Sequence, residues 1–489
     1  DWYGIVSYNA TSTQQPSSYT SNWDKVGAVD ISYARVAHYI KGVSARDYAS
    51  ASRNGINYGW DNSLSPDSIK IHNSVFQAGG DAYFCSDYWS FRPLEFVNNR
   101  VHNAGLYSYG KSSYKKVENN NFKSNYYSGG SGMNPFRIHV SGDQRGSNTP
   151  HCMLLNFKNN NIDFGYVEIN ASSEVGSVAQ KSATIDISGN TIHRNNNAKI
   201  YVRYYNYGLS LDSTNIKVSN NTIVGVNVSG QGLELYSNQQ GARWEIKNNN
   251  LRSLNRGLYL SSDQSSEWLV ENNTIDSTYY NGIYKSNGSA KIIGNTIEHA
   301  GRYSWNGTDM NGVYLTASAN YPGTDTLKNN TIRYNGSWDS PNNASNNIGI
   351  GGVTIDGNVT AVINANNIYE NNGHDVINLV SKSVAAIQDA RYNYWGDSTT
   401  VEMNTGANPK NITSIHDEYD DALKGFVNYA GYVDSINGVP SALNVLGDLK
   451  LLNITGSQAF NYPVGDTLRV RVSDADRNVS TTAADTVTV

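Results

Sequence analysis

The sequence predicts an all-β solenoid of about 12 or 13 coils, followed by a small antiparallel β segment. A short phrase recurs from about residue 29 to 397: an apolar strand, an asparagine, any residue and an aliphatic residue, as in Ile185-Asp-Ile-Ser-Gly-Asn190-Thr-Ile192. The repeats are about 29 residues apart on average, which suits one coil per repeat with loops of variable length. The last fifty residues instead alternate apolar and polar residues between turns, as antiparallel strands do.

The recurring asparagines predict a ladder of stacked corners. Asparagine tolerates the left-handed conformation that a tight corner needs, and stacked carboxamides can hydrogen-bond to one another from coil to coil. At about 4.8 Å per coil, the stack predicts a rod roughly 60 Å long. The predicted ladder positions are Asn73, Asn99, Asn120, Asn160, Asn190, Asn221, Asn249, Asn273, Asn295, Asn330, Asn366 and Asn393.

These corners, with phrases such as Asn272-Asn-Thr-Ile275, resemble those of the right-handed parallel β-helix superfamily, particularly its NosD-like and pectate-lyase-like repeat proteins. Asp1-Trp-Tyr-Gly-Ile-Val6 resembles the strand that often opens these domains, and Ala390-Arg-Tyr-Asn-Tyr-Trp-Gly396 resembles their closing coil. The resemblance implies a parallel β-helix over residues 1–397. It implies no single activity, since the scaffold carries lyases, hydrolases, epimerases, tailspikes and inert surface proteins.

Around the regular repeats, the sequence predicts several irregular segments. Residues 1–68 hold an opening strand, a polar excursion and the strand Ala28-Val-Asp-Ile-Ser-Tyr33 that starts the stack. The Gly-, Ser- and Asn-rich stretch from Ser124 to Pro150 is expected to leave the rod as a loop or hairpin. Residues 398–439 are expected to form a C-terminal cap or linker.

Residues 440–489 resemble part of an Ig-like repeat of microbial cell-surface proteins, with the turn Val472-Ser-Asp-Ala-Asp-Arg-Asn478. Its three or four predicted strands are about half of such a domain. Further domains or a neighbouring chain are therefore expected to complete it, which makes self-association or contact with neighbouring surface domains the predicted partnership. Asp474, Asp476 and Asn478 are a candidate calcium site, although three oxygen-bearing side chains are fewer than the ion takes.

The sequence predicts a secreted or cell-surface protein. The 489 residues carry a net charge of -5 and a pI near 6.0, which gives no reason to expect nucleic acid as a partner. No apolar run is long enough to insert into a membrane. The chain opens inside a strand, so it is expected to be a mature or trimmed piece of a larger secreted protein. Sequons such as Asn227-Val-Ser would suit a glycoprotein, although a chain this rich in Asn, Ser and Thr also acquires them by chance.

The strand after each corner predicts an exposed row of side chains. Its aliphatic residues should face inward and the residues between them outward. The outward row comprises Glu168, Tyr201 or Arg203, Glu234, Tyr259, Tyr284, Tyr314 and Thr354. A second outward row, Asp186, Lys217, Glu245 and Lys291, alternates in sign and is interpreted as charge pairing between coils.

The first row has two interpretations. In one, a polysaccharide lies along Tyr259, Tyr284 and Tyr314, with Glu168 and Glu234 as acid and base roughly 10 Å apart and Arg203 beside them. In the other, the tyrosines cover the sheet by pairing with each other. We favour the second, since the 35 tyrosines are frequent throughout the chain and not concentrated in this row. The Asp-Pro-His motif of alginate epimerases and the Trp-Ile-Asp-His phrase of pectate lyases are also missing from the sequence.

The sequence therefore predicts a secreted, cell-surface structural or adhesive β-helix protein, with a subunit of a filament or surface lattice as one form of that role. It predicts no cofactor, apart from the candidate calcium site. A polysaccharide lyase or glycoside hydrolase is the alternative. A non-catalytic glycan-binding module is the second alternative.

Overall fold

The computed structural model of the chain describes residues 6–7, 29–39, 57–58, 69–86, 94–108, 114–123, 136–143, 152–163, 165–173, 182–195, 198–206, 213–226, 230–238, 241–302, 310–336, 350–406, 408–436, 438–439, 448–453 and 469–473. Within these ranges the chain is almost entirely β-strand, with one α-helix.

The strands of the N-terminal half are numbered in chain order. They are β1 (Val6–Ser7), β2 (Val29–Ser32), β3 (Arg35–Tyr39), β4 (Asn57–Tyr58), β5 (Ile69–His72), β6 (Val75–Ser86), β7 (Leu94–Val97), β8 (Arg100–Ser108), β9 (Tyr114–Glu118), β10 (Asn121–Lys123), β11 (Phe136–Asp143), β12 (Cys152–Lys158), β13 (Asn161–Asp163), β14 (Gly165–Ser173), β15 (Ser182–Ser188), β16 (Thr191–Asn195), β17 (Lys199–Asn206), β18 (Ser213–Ser219), β19 (Thr222–Gly225) and β20 (Gly232–Ser237).

The C-terminal half continues in the same way and adds the helix. Its elements are β21 (Arg243–Lys247), β22 (Asn250–Leu254), β23 (Leu258–Ser262), β24 (Glu267–Glu271), β25 (Thr274–Thr278), β26 (Ile283–Ser286), β27 (Ser289–Ile293), β28 (Thr296–Glu298), β29 (Met310–Thr316), β30 (Gly323–Lys328), β31 (Thr331–Arg333), β32 (Ile350–Ile355), β33 (Val359–Asn364), β34 (Asn367–Tyr369), β35 (His374–Asn378), β36 (Ile387–Asp389), α1 (Asp397–Asn404), β37 (Ile415–His416), β38 (Phe426–Asn428), β39 (Asp448–Leu452) and β40 (Arg469–Ser473).

All strands up to β38 stack in parallel and form three faces of a rod. Sheet 1 contains the fourteen strands that precede the first bend of each coil, where most coils have an asparagine corner: β2, β5, β7, β9, β12, β15, β18, β21, β24, β27, β30, β33, β36 and β38. Sheet 2 contains the strands that follow the corner: β3, β6, β8, β10, β13, β16, β19, β22, β25, β28, β31 and β34. Sheet 3 follows a second bend: β1, β4, β6, β8, β11, β14, β17, β20, β23, β26, β29, β32, β35 and β37. Strands β6 and β8 run through both sheets 2 and 3, and the predicted parallel β-helix is confirmed.

Each asparagine corner uses two adjacent residues for two different purposes. The first residue takes the left-handed conformation, as Asn220 does at φ 56°. The second residue points inward and makes the ladder: the backbone N–H and Nδ2 of Asn190 both donate to Oδ1 of Asn221, at 3.0 and 2.9 Å. Asn190 Nδ2 also donates to the carbonyl oxygen of Phe157 at 2.9 Å. This division corrects the expectation that one asparagine does both.

The ladder runs unbroken from Ser74 to Asn393, and eleven of the twelve predicted asparagines belong to it. The prediction for Asn73 is wrong, because Asn73 is the exposed left-handed residue of its corner, at φ 51°. Ser74 occupies the inward place instead, and its Oγ accepts from the backbone N–H of Ala34 at 3.1 Å. Its N–H donates to Asn99 Oδ1 at 3.0 Å.

The second bend of each late coil carries a shorter polar ladder, five residues after the first. Asn335 donates through Nδ2 to Asn371 Oδ1 at 2.9 Å, and its own Oδ1 accepts from the backbone N–H of Ala300. Asn371 donates in turn to Asp375 Oδ1 at 2.9 Å. The residues just before these positions, such as Tyr334 and Glu370, are again left-handed.

The core is a continuous apolar column closed by the C-terminal residues. Phe76, Phe96 and Phe122 stack near its N-terminal end. In the middle, the tilted rings of Trp244 and Trp268 pack against each other with their centroids 5.1 Å apart. After β36, helix α1 buries Met403, and residues up to Tyr432 belong to the same buried cluster.

Two expectations outside the regular coils have different outcomes. The stretch from Ser124 to Pro150 was expected to leave the rod, but β11 within it joins sheet 3 between β8 and β14. At the C-terminal end, β39 and β40 pair antiparallel, with Leu451 opposite Val470. The other predicted strands of that segment, and Asp474, Asp476 and Asn478, lie outside the described residues.

Candidate functional site

The strand register of sheet 3 brings the predicted row together in the predicted order. Neighbouring positions in this column are the residues Glu168, Tyr201, Glu234, Tyr259, Tyr284, Tyr314 and Thr354. All but the last are half-buried and outward-facing. Thr354 is the exception, since it is fully buried and donates from Oγ1 to Asn311 Oδ1 at 2.7 Å. The exposed row therefore ends at Tyr314.

Tyr259, Tyr284 and Tyr314 stack with their rings nearly parallel. The ring centroids of Tyr259 and Tyr284 are 4.9 Å apart and those of Tyr284 and Tyr314 are 5.6 Å apart, with 6° between the ring planes in both pairs. Since the strand spacing sets this separation, the ring faces point along the rod axis. Solvent meets the ring edges and the hydroxyl groups, so the stack offers few free faces to a sugar ring.

Arginine and carboxylate groups flank the tyrosine stack. The guanidinium carbon of Arg256 lies 5.1 Å from the ring centroid of Tyr259, 5.4 Å from that of Tyr280 and 6.0 Å from that of Tyr284. At the other end, the Tyr314 hydroxyl donates to Asp356 Oδ2 at 2.6 Å. These contacts hold the rings in place from both sides.

The two candidate carboxylates are separated by one strand. Glu168 and Glu234 both align with Tyr201 between them, so they are two strand spacings, about 10 Å, apart. Glu234 Oε2 lies 3.7 Å from Lys199 Nζ, and Glu168 Oε1 accepts from Asn170 Nδ2 at 3.3 Å. Both groups are thus engaged by neighbours on the same face.

Arg203 does not lie between the two carboxylates. It aligns with Asn170 and Tyr236, one outward column away from Tyr201. Its guanidinium carbon is 4.6 Å from the Tyr201 ring centroid, and its Nε donates to the Tyr201 hydroxyl. Arg203 therefore packs against Tyr201, and this geometry suits support of the ring.

A second polar cluster lies on sheet 2 and was missed by the sequence analysis. Arg333 donates from Nε to Glu298 Oε1 at 2.7 Å and from Nη1 to the Tyr369 hydroxyl at 2.8 Å. One coil earlier, His299 Nδ1 lies 3.0 Å from Asp276 Oδ1. The signal was present, since Asp276, Glu298, Arg333 and Tyr369 each stand three residues after a ladder asparagine. The members of this cluster pair with one another across neighbouring coils.

The second predicted outward row also forms a column, on sheet 1. Asp186, Lys217 and Glu245 are successive neighbours, with Leu269 between Glu245 and Lys291. Lys158 Nζ contacts Asp186 Oδ2 diagonally at 2.7 Å. Lys247 Nζ lies 3.2 Å from Glu271, directly opposite on the next strand, and 3.4 Å from Glu245 on its own strand. Charge pairing between coils is present, but in part through the neighbouring column.

The described part of the chain contains no cluster of three or more His, Cys, Asp or Glu side chains arranged to hold a metal ion. Among the same residues, no helix is both long enough and apolar enough to cross a bilayer.

Comparison of the chain with protein-family models, with curated proteins and with solved structures gave no match.

Proposed function

We propose that this chain is a structural rod of an extracellular surface, related to the NosD-like and pectate-lyase-like proteins of the right-handed parallel β-helix superfamily. Its proposed place is the cell surface, where it acts as an adhesive or as a subunit of a filament or lattice. Residues 440–489 are proposed to be an Ig-like joint to a further domain or a neighbouring chain. The stacking of Tyr259, Tyr284 and Tyr314 on one another carries the proposal.

The stacked rings support a structural role because both faces of Tyr284, and one face each of Tyr259 and Tyr314, are covered within the stack. The same holds for the charged groups described on sheets 1 and 2, which pair between coils. Polar side chains that recognise a substrate are usually left facing a cleft. Here the charged side chains of sheets 1 and 2 form ion pairs between successive coils. Such pairs stabilise a long rod, in which each coil contacts only its neighbours.

Electron microscopy of the protein as isolated from its source tests this function. We expect filaments or a lattice with a repeat that accommodates a rod of roughly 60 Å. Isolated rods without repeating contacts, at concentrations well above those of the native surface, would contradict the assembly role. In that outcome the tyrosine face becomes the next surface to test.

The alternative function is cleavage of a polysaccharide by Glu168 and Glu234. Their separation of about 10 Å lies at the upper end for an inverting pair. The test is a screen of acidic and neutral polysaccharides with the full chain, followed by Glu234→Gln and Glu168→Gln. Loss of cleavage in both variants at unchanged melting temperature would establish this activity over the structural one, and no cleavage by the unmodified chain would exclude it for those glycans.

The second alternative is glycan binding without cleavage, through the tyrosine hydroxyl groups and Arg256. The hydroxyl edge of the stack favours it, since sugars can hydrogen-bond there. Tyr259→Ala should then abolish binding in a glycan array, while the folded state loses only the single stack on Tyr284, about 1 kcal/mol. Tyr33→Ala is the matched control, because Tyr33 is 83% exposed and lies far from the row in sequence. Equal binding by both variants would rule the tyrosine face out.

A further inference from the structure

One charged pair lies inside the apolar core, away from every surface described above. Lys285 of β26 and Asp325 of β30 have fully buried side chains, and Lys285 Nζ lies 2.7 Å from Asp325 Oδ2. Lys285 belongs to sheet 3 and Asp325 to sheet 1, so the pair bridges two faces of the rod.

The surroundings of the pair are apolar and closely fitted. Lys285 occupies an inward position. The equivalent positions in the preceding and following coils are occupied by Leu260 and Leu315, which are both fully buried. Gly323 makes room for the ammonium group, since a Cβ there would lie 2.8 Å from Lys285 Nζ. Two charges in such a place are expensive to desolvate, and a neutral link of the same shape would be cheaper.

Two backbone groups give the atoms of the pair distinct roles. The N–H of Ala290 donates to Asp325 Oδ1 at 2.7 Å, and Lys285 Nζ donates to the carbonyl oxygen of Gly288 at 3.0 Å. Oδ1 is thereby the oxygen on which negative charge is stabilised when the carboxyl carbon is attacked. Oδ2, which faces the ammonium, is the oxygen that can take up protons and leave.

We propose that Lys285 and Asp325 condense to an intramolecular amide bond that covalently joins sheet 3 to sheet 1 through the core. This inference rests on the geometry of the core and is independent of the proposed function.

The reaction balances without any other reagent. One proton passes from the Lys285 ammonium to Asp325 Oδ2, which leaves a neutral amine beside a neutral carboxyl group. Burial favours this step, because it raises the pKa of Asp325 in spite of the attraction of Lys285. The amine then attacks the carboxyl carbon, the Nζ–C bond forms and the C–Oδ2 bond breaks. Oδ2 departs as water with a second proton from the nitrogen, and no atom is oxidised or reduced.

The fold supplies the two conditions that the condensation needs. The partners are held in contact by the strands that carry them, which replaces an encounter in solution by a high effective concentration. Bulk water is excluded from the buried pair, so hydrolysis of the product is slow once the released water has left.

Mass spectrometry of the full chain, denatured after folding, tests the proposal. We expect the intact mass to be lower than the sequence mass by one water. After digestion with trypsin, cleavage should be absent after Lys285, and a branched peptide should join the segments that contain Lys285 and Asp325. Exposed Lys291 of β27 is the control, since it should be cleaved in the same sample.

Incubation of the folded protein and the Asp325→Ala variant show whether the mass loss comes from the proposed amide bond. A mixture of two masses in which the lighter form increases during incubation of the folded protein supports the amide. Asp325→Ala should keep the full sequence mass, and so should the unmodified chain that is held unfolded in denaturant. An intact mass that stays equal to the sequence mass after prolonged incubation, with normal cleavage after Lys285, overturns the proposal.

Discussion

At the scale of single residues, the two asparagines of one corner have opposite requirements. Asn221 is fully buried and accepts from Asn190, while Asn220 is exposed and left-handed. Asn221→Ala should lower the free energy of unfolding by about 3 kcal/mol, because buried donors in Asn190 lose their acceptor. Chemical denaturation monitored by circular dichroism measures it.

The neighbouring substitution is the control for that prediction. Asn220→Gly should change stability by less than about 1 kcal/mol, since glycine adopts the left-handed conformation readily. The chain already has glycine at the equivalent place, Gly189 at φ 68°. Equal losses in the two variants would mean that the ladder hydrogen bonds add nothing beyond the corner conformation.

Asp375 predicts a specific dependence of stability on pH. It is buried beside Asn371, and burial raises its pKa from 3.8 to about 7, against the hydrogen bonds from Asn371. The folded state therefore holds a proton that the unfolded chain releases between about pH 4 and 7. Over that window the contribution of Asp375 to stability should fall with rising pH, by about 1.4 kcal/mol per unit.

Asp375→Asn isolates this contribution. The amide keeps the oxygen that accepts from Asn371 and does not ionise, so the variant should gain stability relative to the unmodified chain as pH rises from 5 to 8. Thermal unfolding of both proteins at several pH values measures the difference in stability. Burial lowers the pKa of His374, so His374 makes stability rise with pH, but this contribution is common to both proteins and cancels in the difference. A difference that does not change with pH would show that Asp375 is ionised throughout.

At the scale of the elements, the tyrosine stack should stabilise sheet 3. Tyr284 stacks on both Tyr259 and Tyr314, so Tyr284→Ala removes two aromatic contacts. We expect a loss of about 2 kcal/mol in the free energy of unfolding, from two stacks of roughly 1 kcal/mol each. Tyr284→Phe retains the rings and should lose much less. Similar losses in both variants would assign the stability to the hydroxyl group instead.

The element pattern also shows which parts of the fold the sequence could predict. Alternation placed Glu234, Tyr259 and Tyr284 in one outward column because period two is strict within a strand. It failed at Thr354, whose burial depends on what lies over the sheet. It failed for β11 as well, where a Gly- and Ser-rich neighbourhood concealed a strand that the stack completes.

The second polar ladder and the buried Lys285–Asp325 pair could be predicted from the sequence only in part. Asn335 and Asn371 stand five residues after ladder asparagines, so their spacing was visible, but the second bend that uses them was not recognised. Lys285 has the same strand parity as inward Ile283, and alternation would have placed it in the core. A charged side chain is not expected in an apolar core, so its charge pointed the other way. Its partner Asp325 lies in another sheet, 40 residues later in the chain, and no local pattern encodes that pairing.

At the scale of the whole molecule, a rod of stacked coils should respond to damage locally. Contacts in a solenoid join each repeat mainly to its neighbours, so stability is close to a sum of coil and interface contributions. Ladder bonds and strand pairings here follow that rule, since each links one coil to the next. A defect in one coil should therefore weaken its neighbours more than coils at the far end.

Leu251→Ala tests this directly. Leu251 is fully buried in β22, and its truncation should leave a cavity that costs about 3 kcal/mol. In hydrogen exchange we expect faster exchange in the adjacent strands β19 and β25 and unchanged exchange in β33 and β36, several coils away. Val226→Ala is the control, since Val226 is 37% exposed and its truncation opens no cavity. An equal acceleration along the whole rod would instead mean that all coils open as one cooperative unit, because then any local loss lowers the single barrier that protects every strand.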